Sequence, residues 1–209
     1  IDMRLRPSGN SGMLVTSISA FERYQKKEAW VWEHQALVRA RGVAGDATLK
    51  QRFIDVRKDV LCQQRDRKVL KVAVCEMREK MRDHLGGSRR TTNVQDNDTG
   101  KTHEFHLKQG AGGIVDIEFM VQYAVLLWSF KSPSLCQWTD NIRLLESLHH
   151  LGLLDVDHSK QLIDIYQLYR VRGHRLALQQ SQSSLIVAAP FASERKQIQH
   201  LWNYFFNKD

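Results

Sequence analysis

The stretch that most constrains this chain runs from Gly110 to Phe130, GAGGIVDIEFMVQYAVLLWSF. Gly110, Gly112 and Gly113 open it. Glycines supply a backbone that turns sharply and lets another surface approach closely. From Ile114 to Phe130, apolar residues cover most of a helical circumference. Such a helix needs neighbours on nearly every side. Asp116 and Glu118 fall in its first turns, where carboxylates suit the positive end of the helix dipole. The stretch therefore predicts the central helix of a mainly α, helical-bundle domain.

The rest of the composition fits that expectation. The chain has 209 residues and only three prolines, Pro7, Pro133 and Pro190. It is long enough for one large domain or two small ones. Lys131 ends the longest apolar run short of membrane-spanning length, and no secretory signal is visible. Cys62, Cys75 and Cys136 are scattered and show no CxxC spacing. That favours a reducing, cytoplasmic setting and argues against a zinc site or disulfide frame. The net charge of +8 favours anionic partners: nucleotide, nucleic acid or an acidic protein. The basic residues are spread along the chain, and no interleaved basic and aromatic run supports nucleic acid.

Ile1 to Pro7 alternates apolar and charged residues, which predicts a strand with Asp2, Arg4 and Arg6 on one face. A lone strand cannot satisfy its own backbone, so the sheet owning it is expected upstream. Helices are predicted from Thr16 or Ser17 through Gln25, over Glu33 to Arg41, from Asp46 through Val60, and over about Lys68 to Leu85. In the last of these, Leu70, Val74, Met77 and Met81 form one apolar stripe. Residues 88–103 are almost wholly polar and read as a mobile surface loop. Glu104 to Lys108 alternates and reads as an extended segment leading into the glycine turn. Further helices are predicted after Thr139 or Asp140, from about His158 to Gln180, and after Pro190.

Several motifs fail on inspection. Gly100-Lys101-Thr102 resembles the end of a phosphate-binding P-loop, but Gln95 stands where its first glycine belongs. Gly110, Gly112 and Gly113 miss the dinucleotide-binding spacing, because Val115 stands at the third glycine. Two readings of this turn remain. It is a tight turn packed against a neighbour, or an anion site at a helix N-terminus. His103, Glu104 and His106 read as surface groups rather than metal ligands, and so do His149 and His150. Trp30, Trp32 and Phe21 read as core aromatics at helix junctions rather than a base-stacking platform. Asp2 with Arg4 and Arg6 has two readings: an ion-pair set on an exposed sheet face, or a metal-binding carboxylate beside arginines that hold phosphate oxygens.

Three segments together resemble one family. They are Ile1-Asp2-Met3-Arg4-Leu5-Arg6-Pro7-Ser8-Gly9, Ala29 to Arg41 (AWVWEHQALVRAR), and Lys108 to Phe119 (KQGAGGIVDIEF). In this order they resemble the glutamine synthetase adenylyltransferases, members of the polymerase-β-like nucleotidyltransferase superfamily. Trp32-Glu33-His34-Gln35-Ala36-Leu37 resembles the C-terminal, adenylylating unit; the deadenylylating unit carries a variant ending Trp-Glu-Arg. The resemblance implies AMP transfer from ATP to a tyrosine of glutamine synthetase, with Mg²⁺ held by an Asp-x-Asp pair and a third carboxylate. Asp2 matches the third carboxylate and is the implied catalytic and metal-binding residue. Arg4 and Arg6 match the arginines that follow it and are candidates for phosphate or interdomain contact. Lys108, Gly110, Gly112 and Gly113 are candidates for nucleotide contact.

The implied organisation is a nucleotidyltransferase edge at residues 1–45 and a helical domain at residues 46–209. The Gly-Ser and Asp-x-Asp part of the motif is expected upstream, so the chain alone is not expected to transfer AMP. Implied partners are glutamine synthetase, the PII signal protein and the upstream catalytic domain, with neither membrane nor nucleic acid. The competing expectation is a helical interaction domain with no residue in the chemistry.

Overall fold

The computed structural model describes residues 11–85, 104–180 and 184–207. The strand expected at residues 1–7 and the polar loop at residues 88–103 lie outside these. Among the described residues there are eight α-helices and one two-stranded sheet: α1 (Ile18–Lys27), α2 (Val31–Val38), α3 (Ala47–Leu61), α4 (Arg67–Leu85), β1 (Glu104–His106), α5 (Ile114–Trp128), α6 (Asn141–His150), α7 (Val156–Leu178), β2 (Leu185–Val187) and α8 (Ala192–Asn207). The fold is mainly α, as the periodicity predicts. The chain divides into two compact units, Ile1–Ala73 with Gln122–Asp140, and Val74–Val121 with Asn141–Asp209; two of the three breaks fall inside helices, α4 and α5, and the third just before α6.

In the first unit, α3 packs against α1 and α2 and against the 3-10 turn Pro133–Cys136. Val38, Val56, Val60, Leu61, Leu70, Val125, Leu126 and Leu135 form its core. Ser17 caps α1 by accepting from Ala20 N–H, and Asp46 caps α3 by accepting from Leu49 N–H. Both caps satisfy donors that a helix start leaves open.

The second helix differs from expectation. It begins at Val31, because Glu33 folds back to accept the Trp30 N–H at 2.9 Å and is itself held by Tyr24 Oη at 2.8 Å. It ends at Val38 rather than at Arg41. Trp30 sits at this helix start with 71% of its surface exposed, so it is not a core aromatic.

In the second unit, β1 and β2 pair antiparallel, with Phe105 opposite Ile186. Both of those side chains are buried. α6 packs on α7, and α7 on α8. Asp155 caps α7 through His158 N–H, so this helix begins two residues before the expected start at His158.

The long apolar helix α5 has no exposed residue along its 15 positions. Its all-round burial agrees with the helix expected from its composition. Leu70 and Val74 of the α4 stripe are buried, while Met77 and Met81 are only partly covered.

Candidate functional site

Asp2, Arg4 and Arg6 lie outside the described residues. Lys108, Gly110, Gly112 and Gly113 lie in the turn joining β1 to α5, within the second unit. The backbone here folds tightly on itself. Gly110 N–H donates to His106 O at 2.7 Å, Gly113 N–H to Gly110 O at 2.9 Å, and Ile114 N–H to Leu107 O at 3.1 Å. Gly112 adopts a φ of +79°, and a Cβ there would stand 2.7 Å from the Arg195 carbonyl oxygen of α8. A Cβ at Gly113 would meet the carbonyl oxygens of Leu107 and Gly110 at 2.7 and 2.9 Å. Side chains fit neither position, which is why the sequence places glycine there. Lys108 is exposed beside the turn.

The carboxylate nearest this turn belongs to the protein. Gly112 N–H donates to Asp116 Oδ2 at 2.7 Å. The other oxygen, Oδ1, accepts from Arg78 Nε at 2.6 Å and from an Arg82 guanidinium nitrogen at 3.0 Å. Arg78 is fully buried and also donates to Gln109 O at 2.8 Å. Burial pushes the Arg78 guanidinium below its usual range, and the Asp116 charge pulls it back up. An external phosphate reaching Gly112 would have to displace a carboxylate already held by two arginines.

His106 Nδ1 accepts from Gln109 N–H at 3.0 Å, which requires a neutral ring with its proton on Nε2. Burial, chiefly, lowers its pKa. α8 closes over the turn: the Arg195 guanidinium lies 4.3 Å from the centre of the Phe105 ring. That geometry gives a cation–π contact.

The first unit holds a second polar cluster. Arg57, on α3, is buried and donates to Leu37 O and Val38 O at 2.7 Å, to Cys136 O at 2.5 Å and to Trp138 O at 3.3 Å. It thereby satisfies the last carbonyls of α2, which a helix end leaves open. Arg65 does the same for α3, donating to Val60 O at 2.7 Å and Leu61 O at 2.9 Å. Burial lowers the Arg65 guanidinium to about 10. Each guanidinium sits at the negative end of a helix dipole, a favourable place for a cation.

His34 is buried beside Arg65, with Nε2 2.9 Å from Gln25 O and Nδ1 3.3 Å from Arg65. Cys62 Sγ lies 3.6 Å from Cys136 Sγ, and burial with that neighbour raises the Cys62 thiol to about 12. A thiol so protonated is a poor nucleophile.

Neither cluster has the form of a metal centre, and among the described residues no group of three His, Cys, Asp or Glu converges on a point. Asp155-Val156-Asp157 has a bare Asp-x-Asp spacing, but Asp155 is occupied as the α7 cap.

Sequence reasoning missed Arg57, Arg65 and Arg78. Arg78 carried a signal: it continues the Leu70, Val74 spacing at i+4, so a charge stands on an apolar stripe.

Comparison with known proteins adds the identity that geometry leaves open. Residues 1–56 match the family model described as Glutamate-ammonia ligase adenylyltransferase. Residues 76–202, well over half of the chain, match the one described as GlnD PII-uridylyltransferase. Curated relatives called bifunctional glutamine synthetase adenylyltransferase/adenylyl-removing enzyme are similar across almost the whole chain. The Pseudomonas aeruginosa protein is 49% identical over 97% of this chain and 20% of its own length. The Pseudomonas putida protein is 50% identical over 97% of this chain and 21% of its own length. The Hahella chejuensis protein is 48% identical over 99% and 21% respectively. This chain thus spans about a fifth of the length of the curated relatives it matches.

Both family models describe nucleotidyltransferases. Within that class, the chain belongs to the glutamine synthetase adenylyltransferase family, with residues 76–202 also similar to the PII-uridylyltransferases.

Proposed function

We propose that this chain is the C-terminal part of an adenylylating unit that transfers AMP from ATP to a tyrosine of glutamine synthetase. The observation that carries the proposal is the near-complete alignment, at about half identity, to relatives that bear this activity in their names. Residues 1–45 are the edge of the nucleotidyltransferase domain, and residues 46–209 are helical support behind it.

Asp2 is the residue proposed to hold Mg²⁺, together with carboxylates from the upstream catalytic domain. When bound, the ion would neutralise phosphate charge as pyrophosphate leaves. Asp116, the most buried carboxylate among the described residues, does not fit as a ligand, because its lone pairs are taken by Arg78, Arg82 and Gly112. Arg4 and Arg6 would hold ATP phosphate oxygens or the neighbouring domain. Lys108, exposed beside a turn whose backbone groups are largely engaged, would meet a phosphate from that region. On this reading the protein acts in the cytoplasm, and the chain taken alone does not complete the metal site.

A second reading has its own support. The polar clusters of the described residues serve helix ends and the glycine turn. A helical region built this way acts as a scaffold and presents a surface to glutamine synthetase or to PII.

The test follows AMP transfer from labelled ATP to glutamine synthetase with Mg²⁺, in the complete enzyme, comparing wild type with Asp2→Asn. Near-total loss with an unchanged circular dichroism spectrum supports Asp2 as the metal-binding carboxylate. Near wild-type transfer removes it from the chemistry and favours the scaffold reading.

A further inference from the structure

One cleft in the second unit has no part in the site above. It opens between the C-terminal half of α7, strand β2 and the 3-10 turn Ala189–Phe191, and encloses about 350 Å³. Leu168, Val171, Ile186, Val187, Pro190 and Phe191 line it, with Arg172 and Arg175 as its two remaining lining residues. The α7 residues fall at spacings of three and four, so one helix face carries both the apolar wall and the two charges.

Those charges are unanswered. No carboxylate lines the cleft. Among the described residues, neither Arg172 nor Arg175 has a side-chain hydrogen bond or ion pair. Arg172 is half-buried, and its Nε is shut away from solvent without an acceptor. Among the described residues, the other deeply placed arginines have found partners: Arg78 a carboxylate, Arg57 and Arg65 a ring of carbonyls. The apolar wall is also open, since Leu168, Val171 and Val187 are 42%, 49% and 49% exposed. Binding sites for small molecules combine this volume, a mostly apolar lining and a few convergent polar groups.

We propose that this cleft binds a small organic anion with an apolar body, a carboxylate or phosphate monoester. The anionic head would lie between Arg172 and Arg175, and the body would lie against Val171, Val187 and Phe191. Arginine suits this task, because its planar fork meets two oxygens of one head group. The proposal is independent of AMP transfer, and its test reads binding alone.

The experiment titrates the intact protein with octanoate by calorimetry, and in parallel with octanol and with inorganic phosphate. Octanol has the body without the charge, and phosphate the charge without the body. Methyl NMR signals of Val171 and Val187 report where binding occurs. The expected result is saturable octanoate binding that shifts both valines and exceeds either control. Arg172→Gln with Arg175→Gln should weaken it about tenfold or more, the loss of a charge-assisted pair. Arg175→Gln alone, at an exposed position, keeps the test open if the double variant does not fold, and should weaken binding severalfold. No saturable binding, equal binding of octanol, or unchanged affinity in Arg175→Gln overturns the proposal.

Discussion

Arg78 Nε donates to Asp116 Oδ1 across 2.6 Å, and the two side chains are only 0% and 2% exposed. A buried pair of this kind is costly to break from one side, because the partner is left as an uncompensated charge. Asp116 also holds Arg82 and the Gly112 N–H, so its removal takes the acceptor from two buried donors, Arg78 Nε and Gly112 N–H. Asp116→Ala is expected to cost about 3–5 kcal/mol in denaturant unfolding. Replacing both partners by apolar residues, Arg78→Met with Asp116→Leu, should recover much of that loss. A single Asp116→Ala that unfolds like wild type would show that the pair contributes no stability.

Gly112 and Gly152 both have positive φ, +79° and +69°, but only Gly112 has backbone against it. Gly152→Ala should cost about 1–2 kcal/mol, the strain of a left-handed residue with a side chain. Gly112→Ala should cost clearly more, because its Cβ would meet the Arg195 carbonyl at 2.7 Å and main chain cannot step aside as a side chain can. Thermal melts of the two variants compare them directly. Equal losses would mean that α8 yields freely at Arg195.

Arg57 serves four carbonyls at once, which a lysine ammonium cannot do from one point. Arg57→Lys should therefore destabilise by about 1–3 kcal/mol for each carbonyl left buried without a donor. The loss should show first as faster amide hydrogen exchange in α2, whose last carbonyls Arg57 holds. Unchanged exchange in α2 would separate Arg57 from the end of that helix.

His34 and His106 link stability to pH. Burial is the main cause that lowers both below the ordinary 6.5. The folded protein thus holds both rings neutral, while the unfolded chain takes up protons first as pH falls. Stability is full above about pH 6.5, drops as pH falls below it, and levels off below the folded values. Unfolding free energies between pH 8 and 5 should follow that course. His34→Gln should flatten the slope. A slope unchanged by that substitution would assign the effect to other groups.

The helices were legible because their causes are local. Ser17, Asp46 and the all-round apolar pattern after Gly113 act within a few residues of the elements they define. The family was legible too, since three segments in order carried the resemblance. The candidate site was legible only in part. The glycine cluster pointed to a sharp turn, but nothing nearby showed that Arg195, over eighty residues away, would close on Gly112. The pairing of β1 with Leu185–Val187 was equally hidden, because each strand is three residues long and finds its partner far along the chain. Trp30 misled in the other direction: its apolar ring suggested core, while the fold uses its backbone at a helix start and leaves the ring outside.

The sequence by itself determined a mainly α chain, the place of its long apolar helix and the family to which it belongs. Periodicity and capping are set by neighbours in the chain, and homology is written in the residues themselves. Only the tertiary structure decided which arginines go inside, what each one meets, and which pair is left facing an apolar cleft. A guanidinium tolerates burial where carbonyls or a carboxylate from distant segments converge on it, and that convergence exists only once the chain has folded.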